Sequence, residues 1–131
     1  QFITIANNEF TKFSGINSGS VTPTTIFTAG VNGSWVRHIN ITHPGTSART
    51  LSVMVAKSGV SYHISKVSVP ARAGYDAIKA INVCNPNDIP CMEPDPNRGI
   101  LLGTGETLQV QTLEASSEDI EFTVAVLGGD F

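Results

Sequence analysis

The feature that most constrains this chain is the stretch DIEFTVAVL at 119–127. Its apolar residues alternate strictly, so Ile120, Phe122, Val124 and Val126 fall on one face of an extended strand. RTLSVMVAK (49–57) repeats the pattern with Leu51, Val53 and Val55. In TLQVQTL (107–113), Leu108 and Val110 alternate with Gln109 and Gln111. A period of two over such lengths excludes amphipathic helix and demands sheets with one buried face. TTIFT (24–28), WVRHINIT (35–42), SYHISKVSV (61–69) and GILL (99–102) complete about seven strands, bounded by Gly, Pro, Asn and Ser. VNGS (31–34) reads as a turn with Asn32-Gly33 suited to positive φ, and HPGTSA (43–48) as a second turn.

Two strands carry a break in phase. Val36 is out of step with Ile39 and Ile41, which predicts a bulge near Arg37. Tyr62 and Ile64 are out of step with Val67 and Val69, which predicts a slip near Ser65. One segment stays open between helix and strand: ARAGYDAIKAI, 71–81. The expected fold is all-β, a single β-sandwich or jelly-roll-like domain over 22–131. It carries an extended N-terminal arm at 1–21 and an inserted loop rich in Pro and Cys.

A chain of 131 residues suits one domain, and 40% hydrophobic content supports a core. Net charge is −3, only 15% of residues are charged, and no basic run occurs, so no nucleic-acid partner is expected. No stretch of 18 apolar residues exists, so no membrane-spanning helix is expected. QFITIANNEF lacks a basic segment followed by a long apolar one, so it does not read as a signal peptide. It begins with Gln1, which is consistent with processing or with a missing first residue.

The arm is polar, yet Phe2, Ile3, Ile5, Phe10, Phe13 and Ile16 are scattered through it. A solvent-exposed tail gains nothing from three phenylalanines. Two readings stay open: a first strand covering the domain's own core, or an arm that docks on a neighbouring subunit. The second makes Phe2, Ile3, Ile5, Phe10 and Phe13 partner contacts.

The loop NVCNPNDIPCMEPDPNRG (82–99) holds the chain's two cysteines, Cys84 and Cys91, and four of its seven prolines. Structural zinc needs two closely spaced ligand pairs, and the set His38, His43, His63, Cys84 and Cys91 does not supply them. His38 and His63 read instead as outward strand residues. Asp88, Glu93, Asp95 and Asn97 do not follow a calcium-loop spacing. A Cys84–Cys91 disulfide would contribute about 2–3 kcal/mol at most. It would form in an oxidising setting, and in cytoplasm the two would remain thiols. The expected contact residues of this loop are Pro86, Ile89, Pro90, Met92 and Pro94.

Catalytic motifs are not legible. Ser61 and His63 share a strand, no Gly-x-Ser-x-Gly elbow occurs, and GTGET lacks the lysine and spacing of a phosphate loop. The expectation is a non-enzymatic protein with no cofactor.

Four segments together resemble small β-sandwich structural proteins from the virions of tailed bacteriophages. TPTTIFTA (22–29) is similar to that group's first core strand, Thr-rich and ending in an aromatic, Thr and Ala. WVRHINITHPGTSARTLSVMV (35–55) is similar to the following pair of strands around a small-residue turn. KVSVPARAGY (66–75) resembles the link of strand, Pro and Ala-Gly, and ILLGTGETLQVQ (100–111) the late turn and strand. DIEFTVAVL closes the domain, and the likeness spans about 22–127. The 82–98 loop and the N-terminal arm are extra.

The resemblance implies a virion protein assembled in the host cytoplasm, a capsid decoration or cement protein that bridges neighbouring capsid subunits. Its expected partner is the major capsid protein of the same particle, and it is expected to be a homo-oligomer. Tail, baseplate or fibre-attachment placement, with tail proteins as partners, is the alternative within the class. A carbohydrate-binding or adhesin sandwich is the alternative outside it, with Trp35 as the aromatic to stack on a sugar ring.

Overall fold

The computed structural model describes residues 3–14, 22–89, 99–113 and 120–131. These form nine strands and no helix: β1 (Ile5–Ser14), β2 (Thr24–Thr28), β3 (Ser34–Thr42), β4 (Arg49–Lys57), β5 (Val60–Val69), β6 (Ile81–Asn82), β7 (Ile100–Leu102), β8 (Thr107–Thr112) and β9 (Glu121–Asp130). They build two antiparallel sheets. One is five-stranded, in the order β1-β9-β3-β6, with β7 also paired to β3. The other is four-stranded, in the order β2-β8-β4-β5. β6 and β7 share one side of β3 end to end, since β6 meets Asn40 and Ile41 while β7 meets Ser34 to Val36.

The alternating residues place the core between the sheets. Phe122, Val124 and Val126 of β9 are fully buried with Ile39 and Ile41 of β3, facing Leu51 and Val53 of β4 and Leu108 and Val110 of β8. Val55 is half-buried against the same core. Removing a side chain of this size from water contributes about 1.5–3 kcal/mol each, which is why the pattern dictates which face turns inward.

Three bulges modulate the pattern. The β3–β9 register shifts between Val36 and His38, so Arg37 and His38 both face outward, as the phase break predicts. The β4–β5 register passes from Val53↔Ser65 to Met54↔His63, leaving Ile64 as the extra residue beside the predicted slip. A third bulge, in β2, places consecutive Ile26 and Phe27 in the core. The β4–β5 hairpin turns on Ser58 (φ 54°) and Gly59 (φ 78°). Two successive positive φ values match the right-handed twist of the flanking strands, and glycine adopts one of them without strain.

Segment 71–81 is neither helix nor strand until β6 begins at Ile81. It is a series of turns with positive φ at Arg72, Gly74, Asp76 and Ala77, a conformation that no α-helix contains. Arg72 holds the segment in place: its Nε donates to Asp76 Oδ2 at 2.7 Å and its Nη1 to the Pro44 carbonyl at 2.8 Å. Ala73 is buried in the core.

Residues 5–14 of the expected arm lie in the chain's own sheet. β1 pairs with β9 along its whole length, from Ile5↔Asp130 to Ser14↔Glu121. Its side chains also fasten the two sheets at one edge. Glu9 Oε2 accepts from the Thr28 amide at 2.9 Å, and Asn7 Nδ2 donates to the Thr28 carbonyl at 3.2 Å. Both peptide groups of Thr28 on edge strand β2 are satisfied in this way. Asn7 also donates to Asp130 Oδ1 at 2.9 Å, and Ser34 Oγ donates to the same oxygen at 2.5 Å.

Candidate docking surface

Two outward faces result, and they differ in chemistry. On the four-stranded sheet polar side chains surround Met54 on the outward positions, and two pairs of them bond across strands. Ser61 Oγ donates to Gln109 Oε1 at 2.7 Å, and Ser52 Oγ and His63 Nδ1 are hydrogen-bonded across β4 and β5. Lys66 stands opposite Ser52.

The five-stranded sheet presents a mixed outer face on which large apolar side chains stand among asparagines. Period two puts Phe13 inward and Phe10 outward on β1. Phe13 stacks on core Phe122, ring centroids 5.2 Å apart, whereas Phe10 is 71% exposed. In register, Phe10 faces Ala125, Ala125 faces Asn40, and Asn40 faces Asn82. The next outward row is Asn8, Leu127 and His38. Because Ala125 is small and its neighbours are not, the face dips there. The dip is a groove of about 490 Å³ lined by Phe10, His38, Asn40, Asn82, Ala125 and Leu127. Farther along, Ile3 lies over Gly129, and Gly129 pairs with Trp35, which pairs with exposed Leu101.

The polar rim of the groove has a fixed orientation. Asn82 Oδ1 accepts from the Ile39 amide at 3.1 Å and the Cys84 amide at 3.0 Å. Its Nδ2 is therefore the atom that meets His38 Nδ1, at 3.2 Å. An amide nitrogen only donates, so Nδ1 is the acceptor of this pair. Charges are few on this face. Lys12 Nζ lies 3.6 Å from Glu121 Oε1 at one end, both side chains well exposed. At the other end the Arg37 guanidinium stacks 4.5 Å from the Trp35 ring centroid and covers one face of the indole. Gly99 packs against the same ring so closely that a Cβ there would overlap Nε1.

The expected contact residues separate accordingly. Phe10 stands on the outer face of the five-stranded sheet, Ile3 lies across that face at Gly129, and Ile5 is exposed at the end of β1. Phe13 is corrected to a core contact, because its parity on β1 turns it to Phe122. Ile89 is likewise corrected: it is fully buried, as are Val83 and Cys84, so this part of the Cys/Pro loop is folded into the core. Asn85 shapes the turn, its Oδ1 accepting from the Asn87 and Asp88 amides, both at 3.0 Å. Pro86 is exposed beside it. Phe2, Pro90, Met92 and Pro94 lie outside the described residues, and so does Cys91 with the expected disulfide. Cys84 Sγ lies 3.7 Å from the Val36 carbonyl.

His38 and His63 are exposed on opposite sheets, while His43 is fully buried 5.0 Å from the Phe122 ring. Among the described residues no three His, Cys, Asp or Glu side chains gather as a metal site. Nor is any helix there long and apolar enough to cross a membrane. The sequence reading missed Leu127, Leu101, Ala125 and the His38–Asn82 pair. Two signals pointed to them: Leu127 breaks alternation directly after Val126, and Leu101 is apolar between two inward residues. No protein-family model matches the chain, and no curated protein matches it.

Proposed function

We propose that the protein is a non-enzymatic structural component of a tailed-bacteriophage particle, a capsid decoration or cement protein. In this reading it bridges neighbouring subunits of the major capsid protein and so stabilises the shell. The observation that carries the reading is the outward apolar face of the five-stranded sheet. Phe10, Leu127 and Leu101 are each more than a third exposed on one side of one sheet, and the first two line a groove there. Exposed apolar side chains grouped on one face of a charge-poor surface support an interaction site. The strand-and-turn resemblance over 22–127 supports the class of particle, and a rigid sandwich suits a protein that must dock without losing much conformational entropy.

The reading is tested on purified particles. Mass spectrometry should find the chain in them, and a reconstruction should place the five-stranded sheet against a shell subunit. Particles lacking the protein should rupture at lower temperature or higher salt than complete ones. Absence of the chain from purified particles, its density on the tail, or equal rupture of the two shells would overturn the cement role.

A further inference from the structure

We propose that His43 is a pH-sensitive latch that holds one corner of the sandwich closed and releases it in acid. The inference does not depend on the docking face or on the particle role.

Two connections between the sheets meet at this corner. Residues 43–48 carry the chain from β3 to β4, and residues 70–80 carry it from β5 to β6. β3 and β6 belong to the five-stranded sheet, β4 and β5 to the four-stranded one. The two connections are tied to each other. The His43 amide donates to the Ala73 carbonyl at 3.1 Å, and the Arg72 amide donates to the Gly45 carbonyl at 2.9 Å. Arg72 Nη1 adds its bond to the Pro44 carbonyl.

The His43 ring closes the turn from inside. It is fully buried, 5.0 Å from the Phe122 ring centroid, and its Nδ1 accepts from the Gly45 amide at 3.1 Å. A backbone amide only donates, so Nδ1 carries no proton while this bond exists. The packing is tight. A Cβ at Gly45 would lie 3.0 Å from Nδ1 and 2.8 Å from Ile120 Cδ1.

A proton arriving at Nδ1 turns the acceptor into a donor that faces the Gly45 N–H. One bond is lost and two donors point at each other. The proton also places a charge out of contact with solvent, where an ionised group is costly. Among the described residues, two guanidiniums approach the corner. Arg49 of β4 is 3% exposed, with its Cζ 5.7 Å from the same Phe122 ring. Arg72 reaches Pro44 from the 70–80 connection and is paired with exposed Asp76. From β9, Phe122 turns an uncharged ring to His43, while Glu121 beside it is exposed and pairs with Lys12 of β1. The closed corner therefore holds His43 neutral. An opened corner lets the ring bind a proton at its ordinary value of about 6.5. The sign follows: closure is fully favoured above about pH 6.5, and each pH unit below that weakens it by up to about tenfold for the one proton.

The test is amide hydrogen exchange on the full chain, corrected for intrinsic rates, for the wild type and His43→Asn. Asparagine keeps an oxygen that accepts from the amide two residues on, and it has no proton to gain. Between about pH 7.5 and about pH 5.5, protection of the His43, Gly45 and Arg72 amides should fall about tenfold in the wild type and stay level in His43→Asn. Nuclear magnetic resonance of the wild-type imidazole gives a second readout, which decides the matter where His43→Asn does not fold. The His43 ring should stay neutral in the folded chain at the lower pH, with exposed His38 and His63 as controls. Unchanged protection in the wild type, an equal fall in His43→Asn, or a charged His43 ring in the folded chain overturns the proposal.

Discussion

The two outer faces of this sandwich are built from strands of similar length, yet they treat water differently. On the four-stranded sheet, Ser61 with Gln109 and Ser52 with His63 bond to each other. Burying them against a partner would gain little, because their hydrogen bonds are already made. On the five-stranded sheet, Phe10, Leu127 and Leu101 stay in contact with water, and each would gain about 25 cal/mol per Å² on leaving it. The difference shows that a sandwich needs only one chemically distinct face to acquire a direction of assembly. The inward residues of both sheets are interchangeable in kind, and the distinction lies wholly in the alternate positions.

The comparison can be broken at several levels. The largest effect should come from the core that both faces share. Phe122→Ala removes a fully buried ring stacked on Phe13, and should cost about 3–5 kcal/mol in urea unfolding. A loss below about 1 kcal/mol would show that β1 is not anchored there. Next is Gly128→Ala, which acts on the five-stranded sheet alone. Its Cβ would stand 2.5 Å from the Trp35 carbonyl oxygen, driving β9 from β3. A cost of about 1–3 kcal/mol is expected in thermal unfolding, with faster amide exchange in β3 and β9 but not in β4 and β5. Glu9→Ala removes the acceptor of the Thr28 amide and loosens one edge, for about 1 kcal/mol. The smallest effects on stability, within about 0.5 kcal/mol, should come from Phe10→Ser and from Lys66→Ser on the opposite outer face. Those two should diverge in attachment to particles, which falls for Phe10→Ser and holds for Lys66→Ser.

Much of the fold was legible because it is local. β9 could be assigned inward residue by residue, since Phe122, Val124 and Val126 each gain by burial independently of the partner strand. The bulge at Arg37 was legible because only an extra residue reconciles Val36 with Ile39. Segment 71–81 was not legible, because the positive φ values that shape it are held by Arg72 reaching Pro44 and Asp76, a tertiary arrangement. Ile89 was misjudged for a related reason: its polar, proline-rich neighbours suggest surface, while the Asn85 turn folds it back under the sheets.

The outer face of the five-stranded sheet was half legible. IANNEFTKFS holds phenylalanines three apart, and a strand must send those to opposite faces, so one of Phe10 and Phe13 had to point outward. Which one, and what it stands beside, depends on register. The row Phe10, Ala125, Asn40 and Asn82 joins residues from four distant parts of the chain. No local window contains it.

The most direct measurement is hydroxyl-radical footprinting of the full chain, free and mixed with particles that lack it. Phe10 and Leu127 should lose reactivity on attachment, while His63 on the other outer face keeps its own. Undiminished reactivity at Phe10 and Leu127 in the attached protein, or protection of His63 in their place, would contradict the account.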